Sequence, residues 1–112
     1  MAYFKNINEE EILSLANQVH IEAGQVVSKT LVQNKAVSLT LFAFAKDEEI
    51  STHQSTGDAM VTVLEGIGKF TVSGKEYIVK AGETLIMPAG KPHAVYAQEA
   101  FKMLLTVVFP LK

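Results

Sequence analysis

The sequence predicts an all-β fold closed into a barrel, and three observations carry that reading. After Gly24 the chain divides into short runs rich in valine, isoleucine, threonine and phenylalanine. Turn-forming residues interrupt these runs about every 8–12 residues, the spacing of a sandwich or barrel. Several runs are apolar on both alternating faces, as strands covered on both sides are. With 112 residues the chain fits one domain, residues 1–112, with a barrel over about 26–109 and a lead-in over 1–24.

The lead-in reads as a short helix. Asn8 is a fitting N-cap, Glu9, Glu10 and Glu11 occupy the first turn where the helix dipole favours acids, and Ile12, Leu13 and Leu15 form an apolar stripe that fades at Asn17. The first strand is predicted over Val26–Val32, before the turn-like Gln33-Asn34-Lys35, and the second over Val37–Ala45, ended by Lys46-Asp47-Glu48-Glu49. Ile50–His53 follows, then a turn at Ser55-Thr56-Gly57-Asp58 and a strand over Met60–Glu65 running into Gly66. Lys69–Val72 and Glu76–Val79 flank Ser73-Gly74-Lys75 as a hairpin with glycine at its turn. Thr84–Met87 ends at Pro88, and the last strands cover about His93–Gln98 and Phe101–Phe109. The second strand is apolar through Val37, Leu39, Leu41 and Ala43 on one parity and aromatic through Phe42 and Phe44 on the other. One face lines the interior; the other needs a second sheet or a second subunit, so a homodimer is expected.

Composition narrows the partners. There is no cysteine, which removes disulfides and thiolate metal sites. Net charge is -2 and the lysines are scattered singly, so the concentrated basic face of a nucleic-acid binder is lacking. The start of the chain shows no basic and apolar leader pattern, and no apolar stretch approaches the roughly 18 residues of a membrane span. A soluble, cytoplasmic protein is expected, without nucleic-acid or membrane partners. Hydrophobic residues make up 48% of the chain, rich for a small domain, and this points to an apolar cavity or a partner surface.

Two segments carry chemistry. Gly82, five residues, then Pro88, Ala89, Gly90, two residues and His93 form one. His53, with Gly66 closing the Val63-Leu64-Glu65-Gly66 turn, forms the other. The first closely resembles the second motif of the cupin superfamily, G-x5-P-x-G-x2-H-x3-N, with Ala97 in place of the final asparagine. The second resembles in part the first cupin motif, G-x5-H-x-H-x3,4-E-x6-G. The likeness covers about residues 37–109 and implies a cupin-type barrel (a double-stranded β-helix, or jelly roll).

The departures bear on function. In metal-binding cupins the two histidines of H-x-H, the glutamate and the later histidine hold one divalent ion. Residues two apart on a strand face the same way, so H-x-H aims two imidazoles at one point. Here Ser55 replaces the second histidine, Ala59 the glutamate and Asp47 the first glycine; of four ligands only His53 and His93 remain. Asp58 stands one residue early, and alternation points it to the opposite face. A neutral Ser55 hydroxyl is a poor donor to a transition ion. No resident cofactor is therefore expected, and any Zn, Fe, Mn or Ni on His53 and His93 would be weakly held. His20 reads as a surface residue.

Parity places Ser55, Ala59, Val61 and Val63 on the inward face with His53, and Val95 and Ala97 with His93; Phe42 or Phe44, Met87 and Met103 are added as pocket wall. The expected pocket is apolar with two imidazoles at its polar end, suited to a small ligand with one or two hydrogen-bonding groups. Three functions follow. One is a small-molecule-binding domain; another is a metal-dependent dioxygenase, isomerase or lyase using His53 and His93; the third is a structural dimerisation module.

Overall fold

The computed structural model describes residues 3–110. Among these, nine strands run in order: β1 (Val26–Gln33), β2 (Val37–Phe44), β3 (Glu49–His53), β4 (Asp58–Glu65), β5 (Ile67–Val72), β6 (Lys75–Lys80), β7 (Thr84–Met87), β8 (His93–Tyr96) and β9 (Phe101–Val108). They pair antiparallel into a five-stranded sheet, β1-β2-β9-β4-β7, and a four-stranded sheet, β3-β8-β5-β6. The predicted strands are all present, with ends moved by a residue or two. The β5–β6 hairpin turns on Ser73 and Gly74, both at positive φ (51° and 82°), as a two-residue turn matched to strand twist requires.

Alternation fills the space between the sheets. Phe44, Ala59, Val61, Val63, Met87, Met103 and Phe101 from the large sheet meet Phe70, Val79 and Val95 from the small one in a single buried cluster. The Phe101 ring stacks on Phe44 at 4.8 Å between centroids and meets Phe70 edge-on at 6.0 Å.

The expected N-terminal helix is not formed. The backbone enters the left-handed region at Asn6 and Glu10 (φ 62° and 56°), Ile12 stands fully in solvent, and only a 3-10 turn, Leu15–Gln18, remains. Three apolar residues are a weak helical stripe, and tertiary contacts override it. Ile7, Leu15 and Val19 instead lie against Leu31, Leu41 and Ala43 on the outer face of the large sheet, a second core. Polar contacts fix this strap. Lys102 Nζ donates to the Ala16 carbonyl (2.7 Å), Lys29 Nζ to that of Gln18 (3.2 Å), and Lys5 N to that of Leu31 (2.8 Å). Half of the outer face expected to need another sheet or subunit is thus covered by the chain itself. Among the described residues no helix is long and apolar enough to cross a membrane.

Candidate functional site

The two histidines meet because β3 and β8 are neighbours whose register sets His53 directly opposite His93. A register shift between Ile50 and His53 turns the end of β3, leaving His53 exposed while His93 is 4% exposed. The rings cross at 71° with centroids 4.2 Å apart, and the two Nε2 atoms are 3.0 Å apart.

Each Nδ1 faces a backbone carbonyl. His53 Nδ1 lies 2.9 Å from the Ser51 carbonyl oxygen and His93 Nδ1 3.3 Å from that of Lys91. A carbonyl oxygen only accepts, so each carbonyl favours a hydrogen on the Nδ1 that faces it. Two lone pairs 3.0 Å apart repel, and the contact is a hydrogen bond when one Nε2 carries a hydrogen and the other accepts it. Burial pushes the His93 imidazole below its ordinary range, the neighbouring His53 adds to this, and the Lys91 carbonyl partly offsets both.

A depressed folded-state value means that the unfolded chain binds more protons across the imidazole range. This contribution to stability is in place above the ordinary value of about 6.5 and is lost as pH falls through the lower, folded value of His93.

The other predicted residues fall into two groups. Phe44, Ala59, Val61, Met87, Val95 and Met103 face the interior and are fully buried in the main core. Ser55 sits past the end of β3, where its Oγ accepts from Gly57 N (3.1 Å) and shapes the turn into β4. Asp58 faces outward, its Oδ1 accepting from Ala89 N (2.8 Å), which ties the β3–β4 loop to the β7–β8 loop. The same loops are joined by Gly90 N donating to the Ser55 carbonyl (2.9 Å). Two open clefts of about 230 and 460 Å³ lie along these loops, with Thr56, Ala89 and Pro110 common to both.

One contact was missed from sequence. Asp47 turns the chain in the left-handed region (φ 69°) and accepts a hydrogen bond from the Tyr96 hydroxyl (2.8 Å). That backbone conformation is the reason a glycine suits this motif position, and aspartate is among the few side chains that tolerate it. The bond to Asp47 raises the Tyr96 phenol above its ordinary range.

The donor set does not fit the four-ligand ion that the cupin likeness implies. Among the described residues no three of His, Cys, Asp and Glu converge on one point. Ser55 Oγ is engaged by the backbone, the Ala59 side chain offers no donor, and Asp58 is turned to Ala89.

Comparisons with known proteins agree with this architecture. A conserved protein of unknown function from Streptococcus pyogenes is 47% identical over 100% of this chain and 98% of its own, with a TM-score of 0.97. A cupin superfamily protein from Desulfitobacterium hafniense is 31% identical over 97% of this chain and 100% of its own, with a TM-score of 0.92. A cupin 2 conserved barrel domain protein from Leptotrichia buccalis is 46% identical over 86% of this chain but 47% of its own, with a TM-score of 0.84. No curated protein matched the chain. The profile of the cupin domain matches residues 40–109, from inside β2 to just past β9, and the chain belongs to the cupin family.

Proposed function

We propose that this cupin is a small-molecule-binding domain whose polar anchor is the His53–His93 pair. The observation that carries the reading is the convergence of both Nε2 atoms at 3.0 Å while both Nδ1 atoms are tied to backbone carbonyls. Such a pair offers one acceptor and one donor side by side. A hydroxyl group matches both, its oxygen accepting from one ring and its hydrogen donated to the other. The remainder of the ligand is apolar, in keeping with the apolar interior on which His93 abuts and with the weak donor set around it. His53 and His93 fix and orient the ligand; the loops ending at Gly57 and Gly90 bound its approach.

Titration with phenol and with benzene, followed by the imidazole resonances of both histidines, tests this. Phenol is expected to shift both sets saturably and benzene to leave them largely in place. His93→Ala, checked for native fold, is expected to weaken phenol binding about tenfold, the loss of one hydrogen bond with its partner left unpaired. Equal responses to phenol and benzene, or unchanged binding in His53→Ala/His93→Ala, would overturn the reading. Near-stoichiometric Zn, Fe, Mn or Ni that disappears in the double variant would overturn it in favour of a metal-dependent enzyme.

A further inference from the structure

Strands β6 and β7 follow one another in the chain but belong to different sheets, each at a free edge. Gly82, in the left-handed region (φ 87°), turns the chain between them, and its N–H donates to the Val63 carbonyl (2.8 Å), which ties that turn to β4. Pro88, without an N–H, stops β7. The loop after it meets the β5–β6 hairpin through Ser73 N, which donates to the Pro92 carbonyl (2.9 Å). Between the two edges opens a cleft of about 280 Å³. Its apolar wall comes from both sheets. Leu85 is paired with Val61 and Tyr77 with Phe70, both interior residues, so the two side chains meet the core on one side and the cleft on the other. Val72 and Pro88 complete this wall, and Ser73 and Lys91 supply the polar rim.

The charge around the cleft is one-sided. Lys91 lines it, and Lys75 Nζ lies over the Tyr77 ring, 5.2 Å from its centroid. The acids beside these elements are turned elsewhere. Glu76 pairs with Lys69 at 3.0 Å, and Glu83 accepts from Lys80 N (2.8 Å) at the β6–β7 turn. Among the described residues neither Lys75 nor Lys91 pairs with a carboxylate.

We propose that this cleft binds a small aromatic carboxylate, its ring against Tyr77 and Leu85 and its anionic group at Lys91 and Lys75. It is a second site and does not depend on the histidine pair. Three observations select that class. Two ammonium groups without a carboxylate partner, at the edge of an apolar hollow, suit an anion with an uncharged body behind it. Tyr77 and Leu85 give a flat ring an aromatic and an aliphatic surface to pack on. The volume, at the low end of small-molecule sites, admits a single ring with its carboxylate. Phosphate fits less well: the chain has no arginine to fork onto it, and the wall behind the lysines is apolar.

Titration of the full chain with sodium benzoate, followed by the Tyr77 ring and Leu85 methyl resonances, tests this. Both are expected to shift saturably within about 10 mM, a dissociation constant of about 1 mM or below. Benzamide keeps the shape without the charge, and inorganic phosphate keeps a charge without the ring. Each is expected to bind at least about fivefold more weakly, and Lys75→Gln/Lys91→Gln to weaken benzoate by about the same factor, the size of an exposed ion-pair contribution. Both lysines are exposed, so this variant is expected to keep the fold, which matching circular dichroism checks. Val72 stands opposite His93 in the register, so the imidazoles are read in the same spectra. His53→Ala is expected to leave benzoate binding unchanged, which separates failure of this site from failure of the histidine anchor. Shifts confined to the imidazoles of His53 and His93, or no saturable shift, would overturn the assignment. So would benzamide or phosphate binding as well as benzoate, or full benzoate binding by Lys75→Gln/Lys91→Gln.

Discussion

Phe101→Ala is expected to destabilise the barrel by about 3–5 kcal/mol, the range for truncating a fully buried aromatic side chain. Phe101 is 0% exposed, stacks on Phe44 from the adjacent β2 and meets Phe70 across the two sheets. It is the ring that links the large sheet to the small one. Gly68 makes its position possible, since a Cβ there would sit 2.7 Å from atoms of both Phe101 and Phe70. A cavity at this point cannot be filled by one neighbour, because each flanking ring is held by a different sheet. For a domain of ordinary stability, roughly 5–15 kcal/mol, such a loss removes a large share of the total. Urea unfolding reads the effect as a lower midpoint with an unchanged slope; a loss under about 1 kcal/mol would contradict this view of the core.

Gly66→Ala is the second large effect. Gly66 turns β4 into β5 at φ 78°, a region that costs an L-residue about 1–2 kcal/mol. A side chain there also meets Ala100 O at 2.7 Å and Phe101 Cβ at 2.9 Å, so the turn must move away from the start of β9. The two costs together are expected to exceed about 2 kcal/mol and to lower the melting temperature by about 10 °C or more for a domain of this size. Gly74→Ala is the comparison: its φ is 82° but nothing lies within 4 Å of a Cβ, so it carries the backbone cost alone. Equal melting temperatures for the two variants would show that the approach of Ala100 and Phe101 does not constrain the turn.

The barrel was legible because period-two alternation and turn residues are local signals. Gly74 punctuates a hairpin whether or not the rest of the chain is known, and Ala59, Val61 and Val63 announce an interior face by parity alone. The N-terminal segment was not legible for the opposite reason. Its three glutamates and Ile12, Leu13, Leu15 satisfy local helix rules, yet its conformation is set by Leu41, Ala43, Lys29 and Lys102, all far along the chain. The fate of the outer sheet face was hidden with it, since only the folded strap shows which half is covered.

At the site, sequence brought His53 and His93 together through the family motifs, and strand register makes them neighbours. Their chemistry was out of reach. It depends on Ser51 and Lys91 carbonyls two residues before each ring, and backbone acceptors leave no trace in residue identity. The Asp47–Tyr96 bond was hidden in the same way: the motif marks position 47 by a missing glycine and says nothing of a phenol arriving from β8.

The most direct test of the Nε2–Nε2 contact is a pH titration of the histidine imidazole nitrogens by NMR in the free protein. The expected result has a single hydrogen between the two Nε2 atoms and His93 titrating below the ordinary imidazole value of about 6.5. The His93→Ala variant is then expected to lose that coupling at His53. Titration of His93 at the ordinary value, or Nε2–H tautomers on both rings, would contradict the hydrogen-bonded pair and the ligand anchor built on it.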